Sequence, residues 1–560
     1  MRYIITAAFP YTNGYIHIGH LSGVYIPSDI YYRNLILNNK KKVIFVSGSD
    51  EHGSSILIKS LKENKSIKSI INKYHNYNNK FLKKFNIKLN IYYRTTNKNH
   101  HILVKKIFKK LLIKKMLKKK KSYEYYDKYY KQFLSDRYVI GLCPYCNYKY
   151  SYSDQCEKCG NIIKEGKLLN PISILSKNKP IFKKTINYFI NIKKNKKLIN
   201  NYLKYLINNK NNKNNVINNI KYYLNNLKNR SITRDLKWGV KLPINKYKNK
   251  YNNKVIYVWF DALIGYLSSS IEYCVKNKIK WYKYWKNKNT KLITFIGKDN
   301  LYFHSILLPI IYKNYNNNLI IPNHIQSNNY LNLEGKKIST SKNWTINLHE
   351  ILNVFPNMQD SIRYSLIMDM PENKDTNFTF KKFKLYNNSI LIGILGNFIN
   401  RSIVLLKKKS NGIILTPFKI KKKDNKILNK ISKYPIKIYK LIKNFKFRDS
   451  ICKFINLSRI GNKYLSHKKP WCINNIKKFN YIMYIVFKII IMITYLSYIF
   501  LPNTNKKLLK ILNLNIKEIK NIILNKKDIN NHKINKNKII FNKIYKKDIN
   551  KIIKILKKRG

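Results

Sequence analysis

The first 60 residues alternate short apolar runs with polar loops that contain glycine. The run at 3–8 predicts a buried strand, FPYTNG at 9–14 predicts a turn, and a helical pattern follows from Ile16. A second apolar run at 43–46 precedes SGSDEHG and another helix. Strands that alternate with helices in this way predict a parallel α/β sheet, and the ligands of such sheets bind beyond the carboxyl ends of the strands.

This pattern is interrupted and then resumes. Residues 123–166 form a Tyr- and Cys-rich irregular segment, and residues 183–230 have the pattern of a polar helix. Strand signals return in KVIYVWF at 254–260 and KLITFI at 291–296, each followed by a loop with Gly and Asp. The sequence therefore predicts one α/β sheet that is interrupted by an insertion.

Beyond Phe380 the strand signals stop, and helical periodicity runs from about 385 to 501. The stretch at 481–501 is long enough to span a membrane. Lys488 lies within it, at a cost of about 2.5–3.5 kcal/mol near a bilayer centre, and its Tyr, Thr and Ser residues are spread along its length. We therefore expect a buried helix, with a membrane span as the alternative, and the N-terminal MRYIITAAFPYTNG is a poor signal peptide.

These patterns divide the chain into six segments. We expect the first half of an α/β domain at 1–115, an insertion at 116–230, the second half of the α/β domain at 231–325, a linking region at 326–380, a helical domain at 381–502 and a Lys-rich tail at 503–560. The tail either contacts nucleic-acid phosphates or is a solvated charged segment, and the sequence leaves both open.

The chain of 560 residues is strongly basic. It has 113 Lys and Arg against 25 Asp and Glu, a formal net charge of +88, and 44% hydrophobic residues, which is enough for extensive cores. Such a charge favours polyanionic partners, nucleic acid above all. However, runs such as NNKNNKNNVINN at 208–219 consist of residues encoded by A/T-rich codons. Mutational drift in a base-biased genome is therefore an equally good explanation of the excess positive charge. The charge permits an RNA partner without establishing one.

Four of the seven cysteines are crowded into one short segment. Cys143 and Cys146 form one C-x-x-C pair, and Cys156 and Cys159 form a second. Two such turns offer four thiolates to one tetrahedral ion, and four protein ligands leave no open position, so we predict one structural Zn²⁺ site. Unrelated reduced thiols are the alternative. In both cases the pattern indicates a reduced, cytoplasmic protein rather than a secreted disulfide framework.

Two further segments have the composition of a nucleotide site. His17, Gly19 and His20 stand at the start of a helix, where imidazoles and the helix N-terminus can face phosphates. The segment GKKISTSK at 335–342 supplies ammonium and hydroxyl donors for a triphosphate. Each segment taken alone could be ordinary, a pair of unremarkable histidines and a solvated turn.

Together these two segments resemble the HIGH and KMSKS signatures of class I aminoacyl-tRNA synthetases, and within that class the chain resembles the methionyl-tRNA synthetases. The resemblance rests on motifs in that family's order between about Arg2 and Trp471: AAFPYTNGYIHIGH, GSDEHG, the Cys segment, TRDLKWG, YVWFDALIGY, FIGKDNLYFHS, YLNLEGKKISTSKNW and GNFINR. It implies a Rossmann-type parallel-sheet catalytic domain with a zinc-knuckle insertion, followed by an all-α anticodon-binding helix bundle.

The resemblance implies a methionine pocket. The positions that match this pocket in the family are Phe9, Tyr11, Asp50, Arg234, Trp259, Tyr266 and His304. Asp50 would receive the substrate ammonium and Arg234 would support the pocket, while aromatic rings suit a polarizable thioether. Leu263 stands where the family usually has Pro, which predicts a slightly reshaped pocket wall.

The resemblance also implies an ATP site, with Mg²⁺ accompanying the nucleotide. The catalytic positions are His17, His20, Lys337 and Lys342, and the ATP-binding positions are Gly19, Gly297, Lys298, Asp299, Ser339, Thr340 and Ser341. Thr340 stands where a second signature lysine usually stabilises pyrophosphate, and Lys342 and Lys336 are the candidates to replace that lysine.

Three positions match residues that read the CAU anticodon in the family. Asn397 and Arg401 stand four residues apart in GNFINR, on one helical face, and Trp471 closes KKPW. Their implied contacts are hydrogen bonds to an unpaired base and stacking on it.

The implied activity is the ligation of methionine to tRNA. Methionine is activated by ATP to methionyl-adenylate and transferred to the 3′ end of tRNA(Met), for protein synthesis including initiation. We expect a monomer with no membrane partner. The rivals are synthetases for Leu, Ile or Val, which carry a large editing insertion, a Cys enzyme with an open zinc position, and a tRNA-binding protein that has lost catalysis, motivated by Thr340 and Leu263.

Overall fold

The computed structural model describes residues 1–134, 136–161, 163–164, 166–209, 212–243, 254–340, 343–524, 527, 529–536 and 539–558. The chain divides into two units. The first consists of Met1–Tyr15, Lys42–Asn79 and Leu89–Ser327, and the second of Ile16–Lys41, Lys80–Lys88 and Asn328–Gly560.

A five-stranded sheet organises the first unit. Its strands are β1 (Arg2–Ala7), β2 (Val43–Ser49), β3 (Ile91–Arg94), β4 (Thr290–Gly297) and β5 (His324–Asn328). They lie in the order β5-β4-β1-β2-β3, and β1 pairs in parallel with both β4 and β2. All seven residues of β2 are buried, as in a sheet that is covered on both faces. The predicted parallel α/β sheet is confirmed.

Helices complete the first unit. They are Ser54–Glu63, Ile67–Lys84, Lys98–Ile113, Lys196–Asn208, Asn214–Asn225, Val258–Lys276, Tyr282–Trp285, Phe303–Leu307 (a π-helical turn) and Leu308–Tyr315. The main core of this unit packs Phe108 and Phe260, from two of these helices, with Ile4 of β1. Helix Val258–Lys276 is thereby held beside the sheet, where it carries two of the predicted pocket residues.

The insertion is richer in strands than its sequence predicts. Leu117–Asp127 pairs antiparallel with Ile181–Ile190 along ten residue pairs, with short strands Gln132–Phe133 and Arg230–Ser231 beside them. A smaller sheet contains Val139–Leu142, Ser151–Tyr152 and Leu169–Ser173. The expected irregular segment and the first residues of the expected helix are therefore wrong, because exposed lysines on these half-buried strands hide the alternation that marks a strand.

The apolar run at 254–260 also differs from its prediction. Only Lys254–Ile256 is a strand, and it pairs antiparallel with Thr233–Asp235 outside the five-stranded sheet. Helix Val258–Lys276 begins immediately afterwards. A helix that is buried on most sides presents the same unbroken apolar run as a buried strand, and periodicity does not separate the two.

The second unit is mostly helical, as predicted. After the helical segments Ile18–His20, Leu21–Tyr25 and Ile26–Leu37, its helices are Leu348–Val354, Gln359–Met368, Phe380–Leu385, Tyr386–Gly396 (π-helical), Asn397–Ser410, Lys422–Ser432, Tyr434–Lys443, Phe447–Lys468, Ile476–Phe500, Pro502–Leu512, Ile516–Ile523 and Lys546–Lys557. Three short strands, Leu331–Leu333, Lys336–Lys337 and Thr376–Phe378, form a small sheet. Ile413–Ile414 pairs with His532–Lys533, so part of the Lys-rich tail is folded onto this unit.

Two helices in the described chain have the length and apolarity of a membrane span. The most apolar window of Ile476–Phe500 is 89% buried, which confirms the prediction of a core helix. The other, Phe380–Ser410, has 39% of its window buried and carries Asn387, Asn388 and Asn397 along its length, a polar content that makes it a poor span.

A buried ion network joins three helices of the second unit. Oδ2 of Asp29 accepts hydrogen bonds from Nε of Arg33 and from a guanidinium nitrogen of Arg363, both at 2.7 Å. Arg363 also donates to the carbonyl oxygens of Phe500 and Phe85, each at 3.1 Å. The network fixes helix Ile26–Leu37, which follows the paired histidines, against Gln359–Met368 and the end of Ile476–Phe500.

Candidate active site

The predicted methionine-pocket aromatics come together in the first unit. The ring of Phe9 meets that of Tyr266 edge-on at 5.1 Å between centroids, and Tyr11 meets Trp259 at 6.1 Å. The hydroxyl of Tyr266 and Nε2 of His304 share a 2.9 Å hydrogen bond. A Cβ on Gly48 would lie 2.7 Å from the Phe9 ring, so this position of β2 needs glycine for the ring to pack there.

The backbone of Asp50 is fixed against the loop that follows β1. Its N–H donates to the carbonyl of Pro10 at 2.9 Å, and its carbonyl accepts from the N–H of Thr12 at 2.9 Å. The residue is 3% exposed. Burial raises the pKa of the Asp50 carboxyl well above its ordinary value, and the nearby Asp261 raises it further. An arriving ammonium would remove that penalty, so the site favours a cationic group here.

Arg234 lies at the edge of the same unit's core. Its guanidinium carbon lies 4.0 Å from the centre of the Tyr257 ring, and it donates to the carbonyls of Ser231 and Thr233. Tyr257 immediately precedes the helix that carries Trp259. Arg234 therefore supports the start of that helix. Leu263, on the same helix, is buried, and its carbonyl accepts a 2.8 Å hydrogen bond from the hydroxyl of Tyr312.

The GKD segment follows β4. Gly297 ends the strand, and Lys298 and Asp299 lie in the 3₁₀ turn Lys298–Asn300. This places both side chains beyond the carboxyl end of a parallel strand, where ligands of such sheets bind. Asn300 accepts at its carbonyl from Nδ1 of His304 at 2.8 Å, which assigns the proton of that neutral imidazole to Nδ1. Burial lowers the pKa of His304 to about 4.

The sequence alone predicts no role for His52 and Asp261, although both lie inside motifs that the chain shares with the family it resembles. Nδ1 of His52 and Oδ2 of Asp261 are 2.7 Å apart and fully buried. The available signal was their place in GSDEHG and YVWFDALIGY. The pairing itself was out of reach, since 209 positions separate the two residues.

The paired histidines lie in the second unit. Nδ1 of His17 accepts from the N–H of Gly19 at 3.1 Å, and Nδ1 of His20 accepts from the N–H of His17 at 3.3 Å. Burial lowers the pKa of His17 well below its ordinary value, with a further contribution from His20, and lowers that of His20 to about 4. Both imidazoles are therefore neutral, and because each Nδ1 accepts, each Nε2 carries the proton and can donate it to a ligand oxygen.

The two signature segments of the second unit are in contact. A Cβ on Gly19 would lie 3.3 Å from Cδ1 of Ile338, inside KKISTS, and 3.0 Å from the His17 ring. The backbone N–H of Ile18 donates to Ile346, and that of Leu348 donates to Ile16. The glycine therefore permits the close approach of two segments that lie more than 300 residues apart.

The lysines of the second signature lie at the surface. Lys336 and Lys337 are exposed and form a two-residue strand. Nζ of Lys336 lies 4.6 Å from the Trp344 ring centre, and Nζ of Lys337 lies 4.2 Å from that of Tyr330. The N–H of Ser339 donates to the Trp344 carbonyl at 3.1 Å, and Thr340 is exposed. The predicted residues Ser341 and Lys342 lie outside the described residues.

The four cysteines of the insertion form one cluster. Sγ of Cys143 lies 3.9 Å from that of Cys159, and Sγ of Cys146 lies 3.7 Å from that of Cys156. All four sulfur atoms lie within 4.8 Å of one another. Four Zn–S bonds of about 2.3 Å in a tetrahedron place sulfurs about 3.8 Å apart, so the cluster fits a zinc ion held by four thiolates.

Two of the three predicted anticodon residues, Arg401 and Trp471, are in contact. The guanidinium carbon of Arg401 lies 5.0 Å from the centre of the Trp471 ring, which is 39% exposed. Lys409, on the same helix, donates to the Trp471 carbonyl at 3.1 Å. Asn397 is exposed one turn before Arg401.

A close packing contact supports this helix. A Cβ on Gly461 would lie 2.2 Å from Cζ of Phe398, so the ring packs directly on the backbone of helix Phe447–Lys468. Phe398 follows Asn397 in the chain. The contact therefore anchors the start of the helix that carries the anticodon residues.

The chain is similar to several known proteins. Residues 3–403 match the family of class I tRNA synthetases (M). The chain is 39% identical over 514 residues to the methionine–tRNA ligase of Flavobacterium johnsoniae, covering 91% of this chain and 71% of that protein. It is 40% identical over 513 residues to the methionine–tRNA ligase of Flavobacterium psychrophilum, covering 91% and 74%.

The fold is also similar to that of a solved structure. A Mycobacterium tuberculosis methionyl-tRNA synthetase bound by methionyl-adenylate superposes with a TM-score of 0.78 at 17% identity, covering 97% of this chain and 100% of that one. The family match spans most of the chain and the relatives are matched over more than two thirds of their length. The chain therefore belongs to the methionyl-tRNA synthetases, a family of ligases within class I of the aminoacyl-tRNA synthetases.

Proposed function

We propose that this protein activates methionine with ATP and transfers it to the 3′ end of tRNA(Met). In the first step the methionine carboxylate attacks the α-phosphate of Mg-ATP, which gives methionyl-adenylate and pyrophosphate. In the second step the hydroxyl of the terminal adenosine attacks the activated carbonyl, and AMP leaves. The observation that carries the proposal is the contact between the segment of Gly19 and the segment of Ile338.

Recognition of methionine is assigned to the first unit. Asp50 binds the ammonium, since its buried carboxylate gains most from a cationic partner. The edge-on rings of Phe9 and Tyr266, and of Tyr11 and Trp259, suit a thioether side chain. His304 keeps the Tyr266 hydroxyl in place, and Arg234 supports the helix that carries Trp259.

Binding of the triphosphate by the second unit uses fixed donors. His17 and His20 each present Nε2–H to phosphate oxygens, and Gly19 leaves room for the nucleotide next to the backbone. Lys337 leaves the Tyr330 ring and stabilises the charge that grows on pyrophosphate. Gly297, Lys298, Asp299, Ser339, Thr340, Ser341 and Lys342 remain further ATP contacts of the proposal.

No side-chain nucleophile is required for either step, and we name no general base. The carboxylate is already the nucleophile in adenylation, and the chemistry depends on positioning and on charge stabilisation. Mg²⁺ supplies further neutralisation of the phosphates when it accompanies ATP. The four-Cys cluster has no open ligand position, so we assign Zn²⁺ a structural role in the insertion.

Selection of tRNA is assigned to the helical part of the second unit. Asn397 and Arg401 contact the unpaired bases of a CAU anticodon, and the half-exposed Trp471 stacks on one of them. The six-segment division of the chain, a monomeric state and a cytoplasmic location belong to the same proposal.

A charging assay tests the proposal. Labelled methionine, ATP, Mg²⁺ and tRNA transcripts with CAU or altered anticodons are incubated with the wild type and with Lys337→Ala. We expect charging only of the CAU transcript, and a loss of about 10²–10³ in kcat with Lys337→Ala, as for removal of one transition-state donor. The matched control is Lys381→Ala, at an exposed lysine on helix Phe380–Leu385 of the same unit, and it should change the rate less than twofold.

The alternative function, a tRNA-binding protein without catalysis, predicts a different result. It is motivated by Thr340 in the signature and by Leu263 in the pocket. Such a protein would bind the CAU transcript and form no adenylate from methionine and ATP. If the wild type charges tRNA and Lys337→Ala charges it at the same rate, the role of the lysine is refuted and the proposed function stands.

A further inference from the structure

A buried hydrogen bond joins two sequence-distant parts of the first unit. Nδ1 of His52 and Oδ2 of Asp261 are 2.7 Å apart, and their side chains are 2% and 0% exposed. His52 lies just after β2, and Asp261 lies in the first turn of helix Val258–Lys276. The bond therefore fixes the loop beyond β2 to that helix.

This pair is costly to bury. Burial lowers the pKa of His52 to about 4 and raises that of Asp261 well above its ordinary value. Two apolar side chains of similar size could connect the same elements without this desolvation. A directional hydrogen bond in this place therefore indicates a requirement for orientation beyond packing.

The pair is joined directly to the residue that we assign to the substrate ammonium. The backbone nitrogen of His52 lies 3.5 Å from Oδ1 of Asp50, two residues earlier in the chain. The Asp50 backbone is held on its other side by Pro10 and Thr12. The His52 imidazole thus controls the backbone position from which the Asp50 carboxylate is presented.

The carboxylate of Asp261 lies on the helix that also carries the pocket rings of Trp259 and Tyr266. Asp261 follows Trp259 by two positions and precedes Tyr266 by five, on the same helix. Anchoring His52 to this helix sets the position of the Asp50 carboxylate relative to both rings. An amino acid is recognised at two points, its ammonium and its side chain, so the spacing of these two points decides how well both are satisfied.

We propose that Asp261, acting through His52, is a positioning residue for recognition of the substrate α-ammonium. This inference rests on the proposed function, because it deepens the role given there to Asp50. The role assigned to Asp261 is indirect. It holds the imidazole, and the imidazole holds the backbone that presents the Asp50 carboxylate.

The test separates the ammonium from the rest of the substrate. Inhibition of methionine-dependent ATP–pyrophosphate exchange is measured with two compounds: L-methioninol, which keeps the amine, and 4-(methylthio)butanoic acid, which lacks it. With Asp261→Ala we expect the KM for methionine and the inhibition constant of methioninol to rise at least tenfold. The inhibition constant of the compound without the amine and the KM for ATP should change less than threefold.

Conservative variants distinguish positioning from general packing. The side-chain nitrogen of Asn occupies the place of Nδ1 in histidine, whereas that of Gln lies nearer Nε2, so His52→Asn keeps the donor and His52→Gln removes it. We expect His52→Asn to stay within about threefold of wild type for methioninol, and His52→Gln to match Asp261→Ala. The double variant Asp261→Ala/His52→Gln should be no worse than either single variant, as for two residues that act as one unit.

Ser268→Ala is the matched control. Ser268 lies on the same helix and shares a buried 2.8 Å hydrogen bond with Nδ1 of His100. Its loss removes another buried histidine contact of this helix and leaves the His52–Asp261 bond in place, so the ratio of the two inhibition constants should stay at the wild-type value.

The outcomes are distinct. Equal weakening of both inhibitors by Asp261→Ala and by His52→Gln, or no weakening of either, would overturn the positioning role. If Asp261→Ala loses its native circular dichroism, the comparison of His52→Asn with His52→Gln decides the question alone. Absence of exchange in the wild type would instead contradict the proposed function, and that result precedes any use of the variants.

Discussion

The buried Arg363 guanidinium gives a prediction whose size follows from its contacts. It is fully buried and donates to Asp29 and to the carbonyls of Phe500 and Phe85. Arg363→Met keeps much of the side-chain volume and removes all three hydrogen bonds. Asp29 retains Arg33 and the backbone N–H of residue 88, so its charge stays paired while two buried carbonyls lose a donor.

We therefore expect a loss of about 2–6 kcal/mol in the stability of the second unit, since each of the two buried carbonyls left without a donor costs about 1–3 kcal/mol. Asp29→Asn should cost more than Arg363→Met. It leaves both Arg33 and Arg363 without their shared carboxylate, and both guanidinium groups are buried. The order of the two variants is a sharper expectation than either magnitude.

Denaturant unfolding followed by circular dichroism measures these losses. Arg459→Met is the control: Arg459 is exposed on helix Phe447–Lys468, and surface substitutions usually stay within about 0.5 kcal/mol. A midpoint for Arg363→Met equal to that of Arg459→Met would show that the buried contacts of Arg363 do not stabilise the unit. An Asp29→Asn variant more stable than Arg363→Met would show that Asp29 is not the shared partner of the two guanidinium groups.

Three further predictions concern the metal, the anticodon and pH. Elemental analysis should find one zinc ion per chain. The Cys146→Ser variant should lose the zinc ion, and its insertion should unfold. Full zinc content in this variant would contradict a site of four thiolates. Trp471→Ala should raise the KM for tRNA about tenfold, the loss expected from one stacked base, while the rate of pyrophosphate exchange stays unchanged. An equal fall in the rates of tRNA charging and of pyrophosphate exchange would contradict an anticodon role. Burial lowers the pKa of His20 and His304 to about 4 and that of His324 to about 3. The pKa of histidine in the unfolded chain is about 6.5, so below that pH the unfolded chain binds more protons than the folded chain. The contribution of these histidines to stability is therefore fully present above about pH 6.5. It should fall toward pH 4 by up to about 1.4 kcal/mol per pH unit for each histidine. Because the raised pKa values of Asp50 and Asp261 act in the opposite direction, urea midpoints at pH 7.5, 6 and 5 are compared between the wild type and His324→Gln, and an equal pH dependence of the two would contradict the histidine contribution.

The sheet strands that the sequence predicts are those with unbroken apolar runs. β1, β2 and β4 are buried along most of their length, so composition alone marks them. The short strand β3, IYYR, escapes prediction because only one of its four residues is buried and its pairing with β2 defines it. The prediction for the 254–260 run is wrong because a buried helix and a buried strand share the same apolar sequence.

The features of the site also fall into those that a local sequence pattern predicts and those that it does not. The Cys cluster is a local pattern, so its spacing along the chain is enough to predict its chemistry, whereas the paired histidines needed the resemblance to a family. The contact of Gly19 with Ile338 depended on resemblance to a family, since nothing local links the two segments. The bond of His52 with Asp261 is a tertiary contact between a loop and a helix, and only the folded chain reveals it.

Amino-acid-dependent exchange of pyrophosphate into ATP measures which amino acid the chain activates. The wild-type chain is incubated with ATP, Mg²⁺ and labelled pyrophosphate, and methionine, leucine, isoleucine, valine and cysteine are added one at a time. We expect exchange with methionine and none above background with the other four. Exchange with one of those four in the absence of exchange with methionine would contradict it.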